Sequence, residues 1–172
     1  MSRIKIMISI VVALLLISCE DQADKNNTMT INEVMTENVA NGAFYFNLVN
    51  GEKDNSNWHL VYHNIDVPFG GQQYQMPSFG LGSSSMLAIN SSDNFESIEI
   101  APAQNAFAPE GGRIQYGGSN AALTYDMASH KVGVSNDTYI IYDTVSHKVF
   151  KVRVDDYSGG MVVFRYAELT AN

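Results

Sequence analysis

Few residues of this chain stand at spacings that could do chemistry. His59 and His63 are four apart on a predicted strand and share one face; such a pair can bind a metal ion, and a solvated strand face is the simpler interpretation. Glu96 and Glu99 are three apart on a predicted strand and point to opposite faces, which is unsuited to a glycosidase pair. The Ser83-Ser84-Ser85 stretch lacks the Gly-x-Ser-x-Gly pattern of an exposed nucleophile. We therefore predict that the protein is not an enzyme.

The only cysteine of the chain, Cys19, lies at the end of a predicted export signal. Arg3 and Lys5 form a basic start, and an apolar run follows. The run ends in Leu16-Ile17-Ser18-Cys19, the pattern of a lipobox, in which the cysteine is lipidated and becomes the new N-terminus. We predict that residues 1–18 are a lipoprotein signal peptide and that Cys19 is the lipid anchor. The alternative is an ordinary signal peptide with a chance cysteine.

Length and charge limit the function classes. The chain has 172 residues, which fits one domain, and 10 Lys+Arg against 18 Asp+Glu give a net charge of −8. No basic stripe is visible, which argues against nucleic-acid binding. One cysteine excludes an intrachain disulfide framework. Residues 19–42 are polar and predict a flexible tether that joins the anchor to a domain of residues 43–172.

From residue 43 onward the pattern is that of an all-β domain. Aromatic and alternating segments predict strands at 44–49 and 58–63, with shorter strands at 86–89, 95–100, 114–116 and 121–125. The C-terminal third predicts an antiparallel meander of three strands, at 138–143, 149–154 and 161–166. In the second of these, Phe150, Val152 and Val154 point one way while Lys151 and Arg153 point the other, so we expect one buried and one solvated face.

The middle of the domain, residues 68–120, is rich in turn-forming residues. It holds eight of the thirteen glycines and all four prolines. We predict long loops there, carried on a rigid β scaffold, where binding sites tend to lie. The glycine pairs are not phosphate-binding loops, since no Lys-Ser/Thr follows them.

Two stretches at the ends of the domain resemble a known family. The first is Gly42-Ala43-Phe44-Tyr45-Phe46-Asn47-Leu48 followed by Trp58-His59-Leu60-Val61-Tyr62. The second is Thr138-Tyr139-Ile140-Ile141-Tyr142, then the strand from His147 to Val154 and the strand from Val162 to Tyr166. Both are similar to the HmuY family of haem-binding lipoproteins of Bacteroidota. His59 stands where that family usually has Asp, and His147 where it usually has Gly.

The resemblance implies an HmuY-like antiparallel two-sheet domain with a C-terminal β-meander. It also implies a surface lipoprotein that binds haem by axial ligation and hands it to an outer-membrane TonB-dependent receptor. Glu20-Asp21-Gln22-Ala23-Asp24 resembles the surface-export signals of such lipoproteins, with a solvated tether as the alternative. We therefore expect a lipid anchor in the outer membrane and a domain at the cell surface.

In the HmuY family two axial side chains, His in some members and Met in others, hold the iron from facing loops. The resemblance points to His130 with Met86 as the first candidate pair, and to Met127 and then Met76 as alternatives for the second position. Met127 and His130 are three apart and would lie on the same side of the iron, which argues against using both.

Arg113 and Lys131 are the only cations between residues 54 and 147, so they are the candidate partners of the haem propionates. Each candidate residue also has an ordinary interpretation as a loop, core or surface side chain. The residues that carry the resemblance are structural, and a shared fold does not transfer a ligand. The main alternative is therefore a domain of the same fold that binds a glycan, a peptide or an assembly partner.

Overall fold

The computed structural model describes residues 29–172. The predicted signal peptide, Cys19 and the acidic stretch at 20–24 lie outside the described residues. The described chain is all-β with antiparallel sheets, as predicted. Its helices are three single turns of 3-10 helix, at Val39–Asn41, Phe95–Ser97 and Gln104–Ala106. No helix in this part of the chain has the length and apolar character needed to cross a membrane.

The strands follow one another along the chain in this order: β1 (Asn32–Met35), β2 (Phe44–Asn47), β3 (Glu52–Lys53), β4 (Leu60–Phe69), β5 (Gln72–Leu81), β6 (Ser85–Asn90), β7 (Leu123–Asp126), β8 (Lys131–Val134), β9 (Thr138–Asp143), β10 (Val149–Ser158) and β11 (Met161–Glu168). A five-stranded sheet has the order β1-β11-β10-β9-β6, and a four-stranded sheet has the order β3-β2-β4-β5. β7 and β8 form a separate two-stranded hairpin. Within the first sheet, β9, β10 and β11 form the predicted meander.

The two larger sheets pack on each other through aromatic side chains. Phe46 of β2 meets Phe164 and Tyr166 of β11 edge-on, with ring centroids 5.4 and 5.5 Å away. The same core includes alternate residues of the first half of β10, namely Phe150, Val152 and Val154. The predicted alternation of β10 therefore defines the face that packs between the sheets.

The other face of the five-stranded sheet is covered by protein at Lys151 and only in part at Arg153, so the expectation of a solvated face is wrong for Lys151. Lys151 of β10 is 0% exposed. Its ammonium group donates to the carbonyl oxygen of Ile98 at 2.8 Å and to that of Phe95, and it lies 4.3 Å from the centroid of the Phe95 ring. Ile98 also packs on Ile140 of β9. The long connection between β6 and β7 supplies this cover, and strand periodicity carries no information about such a connection.

Part of the predicted tether is a strand of the domain. β1 pairs with β11, and the Oγ1 atom of Thr36 accepts a hydrogen bond from the buried backbone N–H of Val162 at 2.9 Å. Val39 is buried in the main core. β1 is an edge strand with most of its side chains exposed, so its residues are polar and resemble those of a tether in the sequence.

The middle of the chain is more regular than predicted. β5 occupies ten residues of the segment expected to be loops. Pro77 and Gly80 obscure this strand in the sequence, yet β5 is an edge strand, where proline is tolerated because one side of the strand has no ladder partner. The strands predicted at 95–100 and 114–116 are wrong. The first begins with a 3-10 helix, and the second lies in turns.

Candidate functional site

β4 and β5 form a hairpin that extends beyond the rest of its sheet. The two strands pair from Leu60↔Leu81 to Phe69↔Gln72, whereas β2 pairs only with residues 60–62 of β4. Gly70 and Gly71 close the hairpin with φ angles of 59° and 81°, the left-handed conformation that a tight type I′ turn requires. We call the end of this hairpin beyond β2, residues 63–78, the arm.

The β7–β8 hairpin is closed by a turn of residues 127–130. The carboxylate of Asp126 organises this turn, since Oδ1 accepts the N–H of Ala128 at 2.9 Å and Oδ2 accepts the hydroxyl of Ser129 at 2.6 Å. The Ser129 hydroxyl, and then the Ala128 N–H, lower the pKa of Asp126. His130 ends the turn with a φ of 55°, in the left-handed region.

A cavity of about 620 Å³ lies between the arm and the β7–β8 hairpin. We call it the hairpin cavity; small-molecule sites generally have volumes of roughly 300–1,000 Å³. It is lined by Val67, Phe69, Tyr74, Gln75, Met76, Pro77, Tyr116, Tyr125, Met127, His130, Val132 and Tyr157. Five of these residues are Phe or Tyr, and none is Asp, Glu, Lys or Arg. The hairpin cavity therefore suits a flat, mostly apolar ligand.

His130 is held at the cavity wall by Tyr125. Its Nδ1 atom lies 2.9 Å from the hydroxyl oxygen of Tyr125, and the two ring centroids are 6.2 Å apart. When Nδ1 carries the proton and donates to this hydroxyl, the lone pair of the imidazole stands on Nε2. Nε2 has no hydrogen-bond partner among residues 29–172. The arrangement offers one imidazole nitrogen for ligation.

The structure brings together three of the four sequence candidates for axial ligation. His130 and Met127 lie in the turn of one hairpin, and Met76 lies in β5 on the arm. Met86 is not among the residues that line the hairpin cavity. It lies in β6, at the edge of the five-stranded sheet, where it pairs with Tyr142. His130 and Met86, the first candidate pair of ligands, therefore do not line a common cavity, because β6 belongs to a different sheet from the arm.

The two candidate propionate partners do not line the hairpin cavity either. The guanidinium of Arg113 donates to the backbone carbonyls of Leu87, Pro109 and Glu110, all at 3.1 Å, and so fastens a loop to β6. Lys131 is exposed in β8 beside Val132, which does line the cavity. Neighbouring strand residues point to opposite faces, so Lys131 is directed away from the wall that Val132 forms.

The turn that carries His130 occurs twice in the chain. Tyr-Asp-x-x-Ser-His-Lys-Val spans residues 125–132 and again residues 142–149. In the second copy, His147 has a φ of 61°, and its Nδ1 atom lies 2.7 Å from the hydroxyl oxygen of Tyr142. The Tyr–His contact and the left-handed histidine are thus features of the turn motif itself and are not by themselves evidence of a ligand. The sequence analysis did not identify this repeat, which an alignment of the sequence with itself reveals.

The interpretation of His59 and His63 as a solvated strand face is wrong for His59, which precedes β4 and is 5% exposed. His59 is buried, and its Nε2 atom lies 3.4 Å from a carboxylate oxygen of Asp143, while its Nδ1 atom accepts the N–H of Leu48 at 3.2 Å. Burial lowers the pKa of His63, which lies on β4 within the arm. Among the described residues, no three His, Cys, Asp or Glu side chains are grouped as metal ligands.

Comparison of the chain with family models, with curated proteins and with solved structures found no match. The resemblance to the HmuY family therefore stays a prediction made from the sequence.

Proposed function

We propose that this protein has an HmuY-like domain and binds haem in the hairpin cavity, with His130 as an axial ligand of the iron. The observation that carries the proposal is the position of His130 in a wall of aromatic and thioether side chains. Haem sites combine imidazole or thioether ligands with an apolar slot for the porphyrin. The hairpin cavity has both kinds of group.

Tyr125 supports this role by selecting the nitrogen that ligates. Metal-bound histidines usually donate their other ring N–H to a protein acceptor, which orients the ring. The hydroxyl of Tyr125, 2.9 Å from Nδ1, is such an acceptor. His130 is therefore oriented before the ligand arrives.

Met76 is our choice for the second ligand, with Met127 as the alternative. Met76 lies on the arm, and His130 lies in the turn of the facing hairpin. A flat ligand inserted between two hairpins meets one ligating side chain from each. Met127 shares the turn of His130, so it is the weaker candidate for the opposite side of the iron.

The proposed site does not depend on Arg113 or Lys131. No lysine or arginine of residues 29–172 lines the hairpin cavity. Binding would rest on ligation of the iron and on burial of the porphyrin against aromatic rings, at about 25 cal/mol per Å² of apolar surface. The propionates would be solvated rather than paired with these cations.

The wider role we propose is capture and release at the outer membrane. Lipidation of Cys19 would hold the domain there, facing the cell surface, and a TonB-dependent receptor would receive the haem. Several side chains at the hairpin cavity are well exposed: Phe69 (61%), Tyr74 (46%) and Met127 (56%). A ligand can therefore reach the site from solvent.

The test is a hemin titration of the chain that begins at Cys19, with absorption spectra in the oxidised and reduced states. Cys19 is replaced by serine, because a free thiolate is itself a haem ligand. We expect a saturable one-to-one Soret shift with low-spin bands. His130→Ala should weaken binding by about tenfold or more, and Met76→Leu should remove the low-spin bands.

His147→Ala is the matched control, since it removes the same residue from the second copy of the turn. Met86→Leu is a second control, and both variants should bind hemin like the parent chain. A broad spectrum without saturation would overturn the proposal. Equal losses in His130→Ala and His147→Ala would overturn the assignment of the ligand. Saturable binding of an apolar peptide in the hairpin cavity, with no binding of hemin, would favour the alternative of a peptide or assembly partner.

A further inference from the structure

A second cavity, of about 510 Å³, lies at the other end of the β4–β5 hairpin. It includes His59 just before β4 and Gly82 just after β5, and we call it the polar hollow. Val67 of the hairpin cavity is eight residues from His59 along β4, which corresponds to about 25 Å of strand. The two cavities are thus separate sites on one long hairpin.

Half of the twelve described residues that line the polar hollow have neutral hydrogen-bonding side chains. These are Asn47, Ser56, Asn57, Ser83, Ser84 and Ser146. Among the described residues, its only carboxylate is that of Asp143, which is 3% exposed and is held by the N–H groups of Val145 and Ser146 at 3.1 and 3.0 Å. A surface of this kind matches a ligand that carries many hydroxyl groups and no negative charge.

Trp58 adds an aromatic surface to this polar lining. It is half-buried and packs on Tyr45 with ring centroids 5.1 Å apart. The turn after β5 approaches it closely, because a Cβ at Gly82 would lie 2.3 Å from the Trp58 carbonyl oxygen. Glycine at this position lets the turn that carries Ser83 and Ser84 pass close to Trp58, and all three residues line the polar hollow. An indole next to amides and hydroxyls is the combination that recognises sugars, whose rings have apolar C–H faces and polar edges.

The polar hollow is built to bind rather than to cleave. Cleavage of a glycosidic bond generally uses two carboxyl groups, and the part of the chain that the structure describes supplies one to the hollow, that of Asp143. His59 is not a free base, since Nδ1 accepts the N–H of Leu48 and Nε2 faces Asp143. Its two nitrogens hold the floor of the hollow in place.

We propose that the polar hollow is a binding site for neutral carbohydrate. Sugar hydroxyls would exchange hydrogen bonds with Asn57, Ser83 and Ser84, and one sugar face would lie on Trp58. The negative charge of Asp143 and the net charge of −8 disfavour acidic sugars. This site is independent of haem binding, so either proposal can fail while the other stands.

Trp58 is the only tryptophan of the chain, so intrinsic tryptophan fluorescence reports on this hollow directly. The probes are neutral di- and trisaccharides of glucose, galactose, mannose and N-acetylglucosamine, titrated into the chain that begins at Cys19. We expect a saturable change in Trp58 emission with at least one of them. The matching glucuronic acid derivative should bind at least tenfold more weakly.

Ser83→Arg tests the location, because Ser83 is exposed in a turn and a long side chain there fills the hollow without disturbing the core. Ser92→Arg, at an exposed serine outside the hollow, is the matched control. We expect Ser83→Arg and Asn57→Ala to weaken binding at least tenfold, and Ser92→Arg and His130→Ala to leave it unchanged. Absence of a saturable change with every neutral saccharide, or unchanged binding by Ser83→Arg, would overturn the proposal.

Discussion

The hydroxyl oxygen of Tyr125 lies 2.9 Å from Nδ1 of His130, and this contact closes a turn whose sequence the chain uses twice. In the second copy, Tyr142 and His147 make the same contact at 2.7 Å. One copy faces the hairpin cavity. The other lies beside Phe107, at a smaller hollow of about 460 Å³. The local geometry is shared, so any functional difference between the two histidines must come from their surroundings.

Tyr125→Phe should lower hemin affinity by about tenfold, because it removes the acceptor that orients His130, and loss of such a partner generally costs 10–100-fold in metal affinity. The measurement is a hemin titration followed at the Soret band. Tyr142→Phe removes the matching hydroxyl from the second turn and should bind hemin normally. Equal hemin affinity of Tyr125→Phe and Tyr142→Phe would show that Tyr125 stabilises the turn but does not contribute to hemin binding.

Thr36→Val should destabilise the domain by about 1–3 kcal/mol, because it leaves the buried N–H of Val162 without its acceptor. Urea unfolding followed by circular dichroism gives the change in free energy of unfolding. Glu33→Ala, at an exposed position of β1, should stay within about 0.5 kcal/mol of the parent. A neutral Thr36→Val would mean that the hydrogen bond from Val162 to Thr36 does not contribute to the stability of the domain.

Lys151→Ala should be among the most destabilising lysine substitutions in the described part of the chain, at about 3 kcal/mol. It removes the donor to the carbonyls of Phe95 and Ile98 and leaves a hole under the Phe95 ring. Lys151→Met keeps the apolar stem and should cost about half as much. Lys131→Ala, at an exposed strand position, is the control. Equal stability of Lys151→Ala and Lys131→Ala in urea would contradict the burial of Lys151.

The domain should lose stability below about pH 4. Burial raises the pKa of Asp143, but hydrogen bonds from Ser146 and Val145 and the nearby His59 together hold it below its ordinary value of 3.8. A carboxylate whose folded pKa is lowered adds stability above its unfolded pKa, and this is lost as the pH falls through the folded pKa.

Urea midpoints should therefore fall slightly once the pH drops below about 6.5, because burial lowers the pKa of His63, and should fall further below about pH 4 as Asp143 is protonated. Asp143→Asn should have a lower midpoint at neutral pH and a shallower acid decline. An acid decline as steep as that of the parent chain would show that other groups, such as Asp155, account for it. Burial raises the pKa of Asp155, but the hydrogen bonds and charges of Arg165 and Arg153 together hold it below its ordinary value.

The sequence was sufficient where structure follows from neighbouring residues. The strands β9, β10 and β11 are visible as alternating segments separated by polar turns, and the structure has them within a few residues of the predicted bounds. The same rules miss β5, because Pro77 and Gly80 break the pattern of a strand that the long pairing with β4 nevertheless imposes. They also place Lys151 in water, since nothing in the alternation of β10 shows that a distant connection covers its face.

The candidate site also depends partly on local sequence and partly on tertiary structure. Residue types alone indicate that His130 and the methionines are candidate ligands, because imidazoles and thioethers can bind metals. Which of them meet depends on how the β4–β5 and β7–β8 hairpins face each other across the chain. That long-range arrangement brings Met76 and His130 to one cavity and leaves Met86 in another sheet. It also places the Arg113 guanidinium where it donates hydrogen bonds to backbone carbonyls and holds a loop on β6. The spacing of residues along the chain determines which side chains are neighbours within one strand or turn. Contacts between hairpins depend instead on which apolar faces of the hairpins are buried against each other, and spacing does not show this.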